Sequence, residues 1–289
     1  MIANKYIIVS KIGEGKFGQV FKGNYNKTGE IVAIKIEEKS QDTLKMLKHE
    51  TTILNYLYGN GCRHIPFVYW FGQYNQNPTL IMSYYDCSLH DYIKNTPNIT
   101  IHIIEQFVAS MINILENIHS QYVIHRDIKP QNFMIKDQEL YLIDFGLATI
   151  YVDNNKNHIL AKNDKRSILG TPKFVSYNVH AGLDPSRRDD LISVGYIYMY
   201  LMMGNLPWSN ILETPNRIFI DIVQENDIFH WKNQERKQLK SWTNIEYLCK
   251  NTDNDNYLKL FNYMEYVYHL EFQKCPNYTQ IIADLQNIK

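Results

Sequence analysis

The spacing of hydrophobic positions changes near residue 89. Before about residue 81, alternating and short apolar segments predominate, and residues 6–12 and 20–25 are predicted to be strands. One longer stretch, about residues 41–58, has its leucines and isoleucines close to helical spacing. From Leu89 onward helical spacing dominates. The pattern predicts an α+β fold, with a small β-rich part that holds one long helix and a larger α-helical part.

Composition narrows the class of protein. The 289 residues show no internal repeat, linker or second domain, and they can bury a substantial core. Lys+Arg and Asp+Glu are both 30, so no global field favours nucleic acid or a membrane surface. Cys62, Cys87, Cys249 and Cys275 lack paired metal spacing, and no apolar run approaches the ~20 residues that span a bilayer. We expect a reduced, intracellular protein without a transmembrane segment or signal peptide.

Two short motifs carry the candidate chemistry. Residues 125–132 read His-Arg-Asp-Ile-Lys-Pro-Gln-Asn, and an apolar run leads into Asp144-Phe145-Gly146. Asp127 can face an acceptor hydroxyl, while Asn132 and Asp144 offer the hard oxygens that Mg²⁺ prefers. Either motif alone is more often a charged loop or a turn. Together and in this order they predict a phosphoryl-transfer site.

A glycine-rich segment, Gly13-Glu14-Gly15-Lys16-Phe17-Gly18, lies between the first two predicted strands. Its glycines would let the backbone bend over a nucleotide and present N–H groups to phosphates. A tight hairpin without a ligand is the alternative. A dinucleotide fold is disfavoured, because residues 20–23 continue as strand instead of opening a helix.

Lys35 ends the short apolar strand of residues 32–35, where a lysine is costly unless it meets an anion. We therefore predict that Lys35 contacts the α- and β-phosphates of a nucleotide. Glu50, in the following helix, is the carboxylate best placed to hold it extended. The alternative is a solvated helix face that carries Lys45, Lys48 and Glu50.

With these residues the chain resembles the eukaryotic-type protein kinases, and more narrowly the casein kinase I family, over about residues 6–285. Val175-Ser176-Tyr177-Asn178-Val179-His180 is similar to the Ser-Ile-Asn signature of that family, which replaces Ala-Pro-Glu. Residues 186–191 and Leu206-Pro207-Trp208 also resemble its segments. The positions that match the general kinase pattern are Gly13, Gly15, Gly18, Lys35, Glu50, Asp127, Lys129, Asn132 and Asp144.

The resemblance implies a bilobal kinase fold over residues 1–289, with an N-lobe at 1–82, a hinge at 83–86 and a C-lobe at 87–289. It implies ATP and Mg²⁺ as cofactors, Asn132 and Asp144 as metal ligands, and Asp127 and Lys129 as further catalytic residues. Because Lys129 follows the serine/threonine pattern, protein Ser or Thr hydroxyls are the expected acceptors. The residues implied to bind ATP are Ile12, Gly13, Gly15, Gly18, Val20, Ala33, Lys35, Glu50, Met82 as gatekeeper, Ser83, Tyr85, and Asp91 at the ribose.

Two of the implied roles have simpler alternatives. Asp190, at the start of a helix predicted over residues 191–203, resembles the residue that bonds the backbone of the catalytic loop. It could instead be an N-terminal carboxylate that meets the helix dipole. Asp91 could likewise do no more than open the helix predicted over residues 89–93.

The chain also departs from the family. Ser83 stands where members usually have an acidic residue. Arg126 and Lys173 match two positions of the site that binds pre-phosphorylated substrates, but the third, Phe219, is not basic. We expect the kinase to favour acidic or phosphoprimed target sites. Its preference for a priming phosphate should be weaker than is usual in the family, unless Arg187 or Arg188 supplies the third cation.

The sequence ends at Lys289, and we expect a minimal kinase without the long regulatory tail of the family, of the kind that a virus or a reduced genome could encode. We also expect it to be monomeric. It would act in the cytoplasm or nucleus, of the host cell if it is viral.

Two other functions are compatible with a fold of this kind. A pseudokinase or nucleotide-binding scaffold would keep the fold and lose transfer, but Lys35, Asp127, Asn132 and Asp144 are all present. A small-molecule kinase is disfavoured because Gly170-Thr171-Pro172 resembles the loop that receives the residue after a protein acceptor.

Overall fold

A computed structural model of the chain describes residues 1–15, 18–96, 98–161, 168–209, 233–250 and 256–286. The chain forms two compact units. The first combines Met1–Lys94 with Gln131–Thr149, and the second combines Asn95–Pro130 with Ile150–Lys289.

A five-stranded antiparallel sheet forms most of the first unit, in the order β1-β2-β3-β5-β4. The strands predicted over residues 6–12 and 20–25 are confirmed as a hairpin, and both extend toward its turn. The strands are β1 (Tyr6–Gly15), β2 (Gly18–Tyr25), β3 (Ile31–Glu37), β4 (Val68–Tyr74) and β5 (Asn77–Ser83).

Strand β3 has a different environment on each face because its side chains alternate. Val32 and Ile34 belong to a core cluster with Ile81. Ala33 belongs to another, with Leu47 of the long helix. Lys35 alternates onto the face of Ala33, so the register of β3 directs its side chain to the side of the helix.

The long helix α1 (Gln41–Gly59) begins at the N-cap residue Ser40, whose hydroxyl accepts from the backbone N–H of Thr43. This cap satisfies one of the N–H groups left free at a helix start. The predicted helix over residues 41–58 is confirmed. Leu47, Glu50 and Leu57 lie on its buried face, whereas Leu44 is exposed.

Three short strands of the first unit form a second, smaller antiparallel sheet. The strand Cys87–Ser88 pairs with Phe133–Lys136, which forms a hairpin with Glu139–Leu142. Helix α2 (Leu89–Asn95) follows Ser88, and a 3-10 turn at Phe145–Leu147 follows Asp144.

The second unit is mainly helical, as predicted. Among its described elements α5 is the most buried, since every residue from Asp189 to Met199 is buried. Residues 233–239 are also helical. The bounded helices are α3 (Ile101–Ser120), α4 (Tyr177–His180), α5 (Arg187–Met203), α6 (Trp242–Lys250), α7 (Asn256–His269) and α8 (Tyr278–Gln286); the short elements are Val123–Ile124, Pro130–Asn132 and Thr149–Ile150.

Helix α5 begins four residues before the start predicted from the sequence, at Arg187 and not Leu191. Ser186 is its N-cap and forms a reciprocal capping box with Asp189. The predicted start was late because Arg187, Arg188 and the two aspartates interrupt the apolar pattern. Within the described ranges, no helix combines the length and apolar character that crossing a membrane requires.

Candidate active site

In the first unit, Lys35 lies among three carboxylates. Its Nζ is 2.8 Å from Glu50 Oε2 and 3.6 Å from both Glu37 Oε1 and Asp144 Oδ1. Burial by itself lowers the pKa of Lys35, but the charges of Glu50 and Asp144 outweigh it, and the pKa is raised above its ordinary value. The lysine is therefore held as a cation, extended toward Asp144.

Glu37 is a neighbour of Lys35 that the sequence reasoning missed. Its carboxyl is buried, and burial raises its pKa, although the charge of Lys35 opposes the shift. Among the described residues, Glu37 Oε2 and Glu50 Oε1 have no hydrogen-bond partner. The signal was available, because residues two apart in a strand share a face.

The glycine-rich segment forms the end of the β1–β2 hairpin, where Gly15 pairs with Gly18 and Gly13 with Val20. Gly18 also lies against β3, and a Cβ there would collide with the Ile36 carbonyl oxygen. This close approach requires glycine. Lys16 and Phe17, which complete the motif, lie outside the described residues.

Four of the residues implied to bind ATP lie on this sheet. Ile12 is exposed near the end of β1, and Val20 is half-buried on β2. Ala33 and Met82 face each other across β3 and β5, and both are buried on the side of α1. The structure thus brings Ala33, Met82 and Lys35 to one face of the sheet.

Two hinge residues have defined environments. Ser83 ends β5, donates its backbone N–H to the Phe67 carbonyl, and accepts the Phe67 N–H on its hydroxyl. Tyr85 is buried, and its ring centroid lies 4.7 Å from that of Tyr141. Ser83 therefore ties the end of β5 to Phe67, the residue just before β4, through both its backbone and its hydroxyl.

Asp91 forms hydrogen bonds at the start of its own helix, α2. Its Oδ2 accepts from the Ser88 hydroxyl at 2.7 Å, and the same hydroxyl accepts from the Asp91 backbone N–H at 3.1 Å. The structure shows the helix-opening role given as the alternative for this residue.

The predicted metal ligands follow from the hairpin of the small sheet. Phe133 pairs with Leu142, so Asn132 and Ile143 stand opposite each other, and the Ile143 N–H donates to the Asn132 carbonyl at 2.9 Å. Asp144 follows at once, in the left-handed region at φ 66°, with a side chain 44% exposed. One carboxylate and one amide oxygen fit Mg²⁺, which usually binds a few protein oxygens and keeps room for phosphate and water.

In the second unit, Asp127 is held by three donors. Its Oδ1 accepts the backbone N–H of Thr171 at 2.9 Å and the Thr171 hydroxyl at 2.7 Å. Its Oδ2 lies 2.6 Å from Lys129 Nζ, which also lies 3.1 Å from the Thr171 hydroxyl. With a side chain only 9% exposed, Asp127 is a carboxylate fixed in orientation beside a cation.

Gly170 permits this contact between distant segments. Its φ is +97°, and a Cβ there would lie 2.6 Å from the Arg126 carbonyl oxygen. Both the backbone angle and the close approach require glycine. Sequence reasoning assigned Thr171 to the acceptor-binding loop and did not predict that it bonds Asp127.

Asp190 holds the backbone just before Asp127. Its two oxygens accept the N–H groups of His125 at 2.8 Å and Arg126 at 2.9 Å. Arg126 has a positive φ of 70°, a strained value for a side-chain-bearing residue that these bonds help to maintain. The predicted backbone contact of Asp190 is present in the structure.

A histidine missed by sequence reasoning continues this network. His119 Nε2 lies 3.0 Å from Asp190 Oδ2, and its Nδ1 lies 2.7 Å from the Tyr278 hydroxyl. Burial lowers the pKa of His119, so we assign a neutral ring that donates from Nε2 to Asp190 and accepts on Nδ1 from Tyr278. The pKa of Asp190 is lowered because this bond and the backbone bonds outweigh its burial.

The Ser176-Tyr177-Asn178 segment is tied to Asp189, another residue that was missed. The Ser176 hydroxyl and the Asn178 amide both donate to Asp189 Oδ1, and the Ser186 N–H donates to Oδ2 at 2.8 Å. Burial raises the pKa of Asp189, although these bonds oppose the shift. The segment that distinguishes this chain from most kinases is thus anchored on a buried carboxyl at the start of α5.

The candidate site for a substrate phosphate has fewer of its predicted cations in defined positions than the sites above. Lys173 Nζ lies 4.5 Å from the ring centroid of Tyr200, a cation–π distance. Arg187 donates to the Tyr151 hydroxyl and the Gln273 carbonyl, and Arg188 donates to the Leu270 carbonyl. Both arginines are therefore engaged away from Lys173. Phe219 lies outside the described residues.

These features define a class of protein. The model of the protein kinase domain matches residues 6–279, and the chain belongs to this family. The predicted α+β kinase fold is confirmed.

Among curated proteins the chain is 31% identical over 280 residues to casein kinase I homolog 2 of Schizosaccharomyces pombe, covering 94% of this chain and 60% of that protein. It is also 31% identical over 280 residues to casein kinase I homolog 1 of Saccharomyces cerevisiae, covering 94% of this chain and 48% of that protein. The chain thus spans about half of the length of these relatives. The predicted resemblance to casein kinase I is confirmed.

Proposed function

We propose that this chain is a serine/threonine protein kinase that transfers the γ-phosphate of ATP to protein hydroxyls. The observation that carries the proposal is the buried Asp127, with Lys129 on one oxygen and Thr171 on the other. A fixed carboxylate of this kind can accept a hydrogen bond from an acceptor hydroxyl and orient it. Membership of the protein kinase family supports the same chemistry.

Each residue of this cluster has a proposed role. Asp127 orients the acceptor hydroxyl and takes its proton late in the reaction. Lys129 offsets negative charge on the transferred phosphoryl group. Thr171 fixes the rotation of the Asp127 side chain, and Asp190 fixes the backbone that carries it. Lysine at position 129 is the basis for proposing Ser and Thr as acceptors.

The nucleotide is assigned to residues of the first unit. Lys35, held by Glu50, would bind the α- and β-phosphates, and the N–H groups near Gly13, Gly15 and Gly18 would cover them. When bound, Mg²⁺ neutralises phosphate charge, and Asn132 and Asp144 have the oxygens to hold it. The residues proposed to line the adenine and ribose are Ile12, Val20, Ala33, Met82, Ser83, Tyr85 and Asp91.

For the target protein we propose acidic or phosphoprimed sites, recognised by Lys173 and Arg126. Each can form a charge-assisted hydrogen bond to a phosphate oxygen, and Arg can do so in bidentate fashion. The names of the relatives support casein kinase I-like activity.

We also propose the division into an N-lobe at 1–82, a hinge at 83–86 and a C-lobe at 87–289. We propose that the protein is a monomer and acts inside the cell, in the cytoplasm or nucleus.

The test is transfer of labelled γ-phosphate from ATP, with Mg²⁺, to an acidic and a phosphoprimed serine peptide. Asp127→Asn is the matched control, since it keeps shape and removes the charge. We expect turnover by wild type and a loss of several powers of ten in the variant, with nearly unchanged unfolding temperature. ATP binding without transfer would establish the pseudokinase alternative. Retention of more than about a tenth of wild-type turnover by Asp127→Asn would contradict the role of Asp127, because a general base usually contributes more.

A further inference from the structure

Lys240 is a completely buried lysine, 0% exposed, that directly follows the helical residues 233–239. Its Nζ donates to the carbonyl oxygens of Pro172 at 2.9 Å and Val175 at 2.7 Å. It also lies 4.7 Å from the ring centroid of Tyr196 and 5.2 Å from that of Trp208. Within the described part of the chain no carboxylate forms an ion pair with it. A buried lysine without a counter-ion is costly unless its donors are all used.

The surroundings of Lys240 match the donors of an amine. Burial, together with the nearby Arg236, holds the pKa of Lys240 well below its ordinary value. An uncharged amine has two N–H groups, one for each of the two carbonyls, and a lone pair. His180 Nε2 lies 3.2 Å from Lys240 Nζ and 3.2 Å from the Pro172 carbonyl oxygen, so its N–H can be shared between that lone pair and the carbonyl. His180 Nδ1 has no partner among the described residues, as expected for a ring nitrogen without a proton.

The carbonyls that Lys240 holds belong to one turn, residues 171–175. Trp208 fixes the carbonyl between them, since its indole N–H donates to the Lys173 oxygen at 2.7 Å. Inside the turn, the N–H groups of Phe174 and Val175 donate to the Thr171 carbonyl at 2.8 and 3.0 Å. The backbone of the turn is therefore fixed from the protein interior. Thr171, at its start, bonds Asp127, and Lys173 projects from its middle.

We propose that Lys240 is a positioning residue for the acceptor peptide: its amine fixes the carbonyls of Pro172 and Val175 and so places Thr171 and Lys173. The inference rests on the proposed protein kinase function and deepens it. Lys240 does not touch the substrate. It acts through the turn of residues 171–175, and its loss should impair the use of an acidic or phosphorylated peptide more than the binding of ATP.

The test compares Lys240→Met, which keeps the length and apolar stem of the side chain, with Lys237→Met as matched control. Lys237 precedes Lys240 by three residues and lies over the Tyr177 ring. Three quantities are measured: kcat and KM for a serine peptide with phosphoserine three residues before the acceptor, the Kd of ATP, and the unfolding temperature. For Lys240→Met we expect kcat/KM to fall at least about tenfold with ATP affinity within about twofold of wild type, since two lost hydrogen bonds exceed the ~1.4 kcal/mol of one decade. Lys237→Met should match wild type.

A folded Lys240→Met protein with unchanged peptide kcat/KM would overturn the inference, as would equal losses of peptide and ATP binding, which indicate a general structural role. If Lys240→Met does not fold, Trp208→Phe takes its place, because it keeps an aromatic ring and removes the N–H that fixes the same turn. The same split between peptide and ATP is then expected, and its absence counts against the inference. If wild type itself transfers no phosphate to either peptide, the proposed function fails first, and the inference fails with it.

Discussion

Thr171 gives two hydrogen bonds to the same carboxylate oxygen of Asp127, one from its backbone N–H at 2.9 Å and one from its hydroxyl at 2.7 Å. The two residues are 44 positions apart in the chain. The orientation of the proposed catalytic carboxylate therefore depends on the turn of residues 171–175. A change in that turn can alter the orientation of Asp127 without altering the His-Arg-Asp motif itself.

Thr171→Val should lower kcat about ten- to a hundredfold. It keeps the shape and the backbone N–H but removes the hydroxyl, and a hydrogen bond to a charged group contributes about 1.5–3 kcal/mol. Thr171→Ser keeps the hydroxyl and is the matched control. The measurement is kcat of wild type and both variants on one serine peptide at steady state. Equal rates for the valine and serine variants would show that the hydroxyl does not support Asp127.

Lys35 and Glu50 should behave as a unit. Removing either leaves the other charge without its 2.8 Å partner, so a variant with both changes should lose little more kcat/KM for ATP than either single variant. Glu50→Gln should be the milder single change, because Glu37 remains at 3.6 Å from the lysine. The measurement is a cycle of Lys35→Met, Glu50→Gln and the double variant. Additive losses would mean that the pair does not operate in the active enzyme.

Stability should fall in acid partly through His180. Burial is the main cause that lowers its pKa from 6.5 to about 3, so the folded protein keeps the ring neutral while the unfolded chain takes up a proton. The contribution of His180 is complete above pH 6.5 and is lost as pH falls from 6.5 toward 3. The loss is at most about 1.4 kcal/mol per pH unit for one proton.

Urea unfolding of wild type and His180→Gln between pH 7.5 and pH 5 measures this effect. Below about pH 6.5 the variant should lose stability less steeply, by about one proton. His119, whose pKa is also lowered by burial, is common to both proteins and cancels in the comparison. Parallel curves for the two proteins would contradict the assignment.

Ser176→Ala should destabilise the fold by about 1–3 kcal/mol, because the buried Asp189 loses one of its donors. For a chain of this size that is a fall of several degrees in unfolding temperature. Ser120→Ala, which removes an exposed hydroxyl bonded to the Asn117 carbonyl, is the control and should have little effect. An unchanged unfolding temperature in Ser176→Ala would show that the segment is not anchored through this hydroxyl.

Sequence patterns predicted local relationships well. Alternation in β3 places Lys35 on the side of α1, and helical spacing places Glu50 on its buried face, so their approach could be predicted before the structure. Glu37 follows from the same alternation. These predictions succeed because each depends on a single element whose period is fixed by backbone geometry.

Contacts between distant segments could not be predicted in this way. Lys240 lies in a run of polar residues that is typical of a solvated helix face, yet it is buried because the carbonyls of a turn 65 and 68 positions earlier receive its donors. His119 reads as the polar end of α3, and its bond to Asp190 depends on how α3 and α5 pack. Periodicity gives the face of an element but not the partner that covers it.

The bond between Tyr278 and His119 makes helix α8 part of the support of the segment that carries Asp127. Tyr278, His119 and Asp190 form a buried relay that ends on the backbone N–H groups of His125 and Arg126. A chain cut before α8 would retain every residue of the His-Arg-Asp motif while removing the hydroxyl that sets the tautomer of His119. Helix α8 thus stabilises the loop from a distance. Truncation from this end would loosen the loop although every residue of the motif is still present.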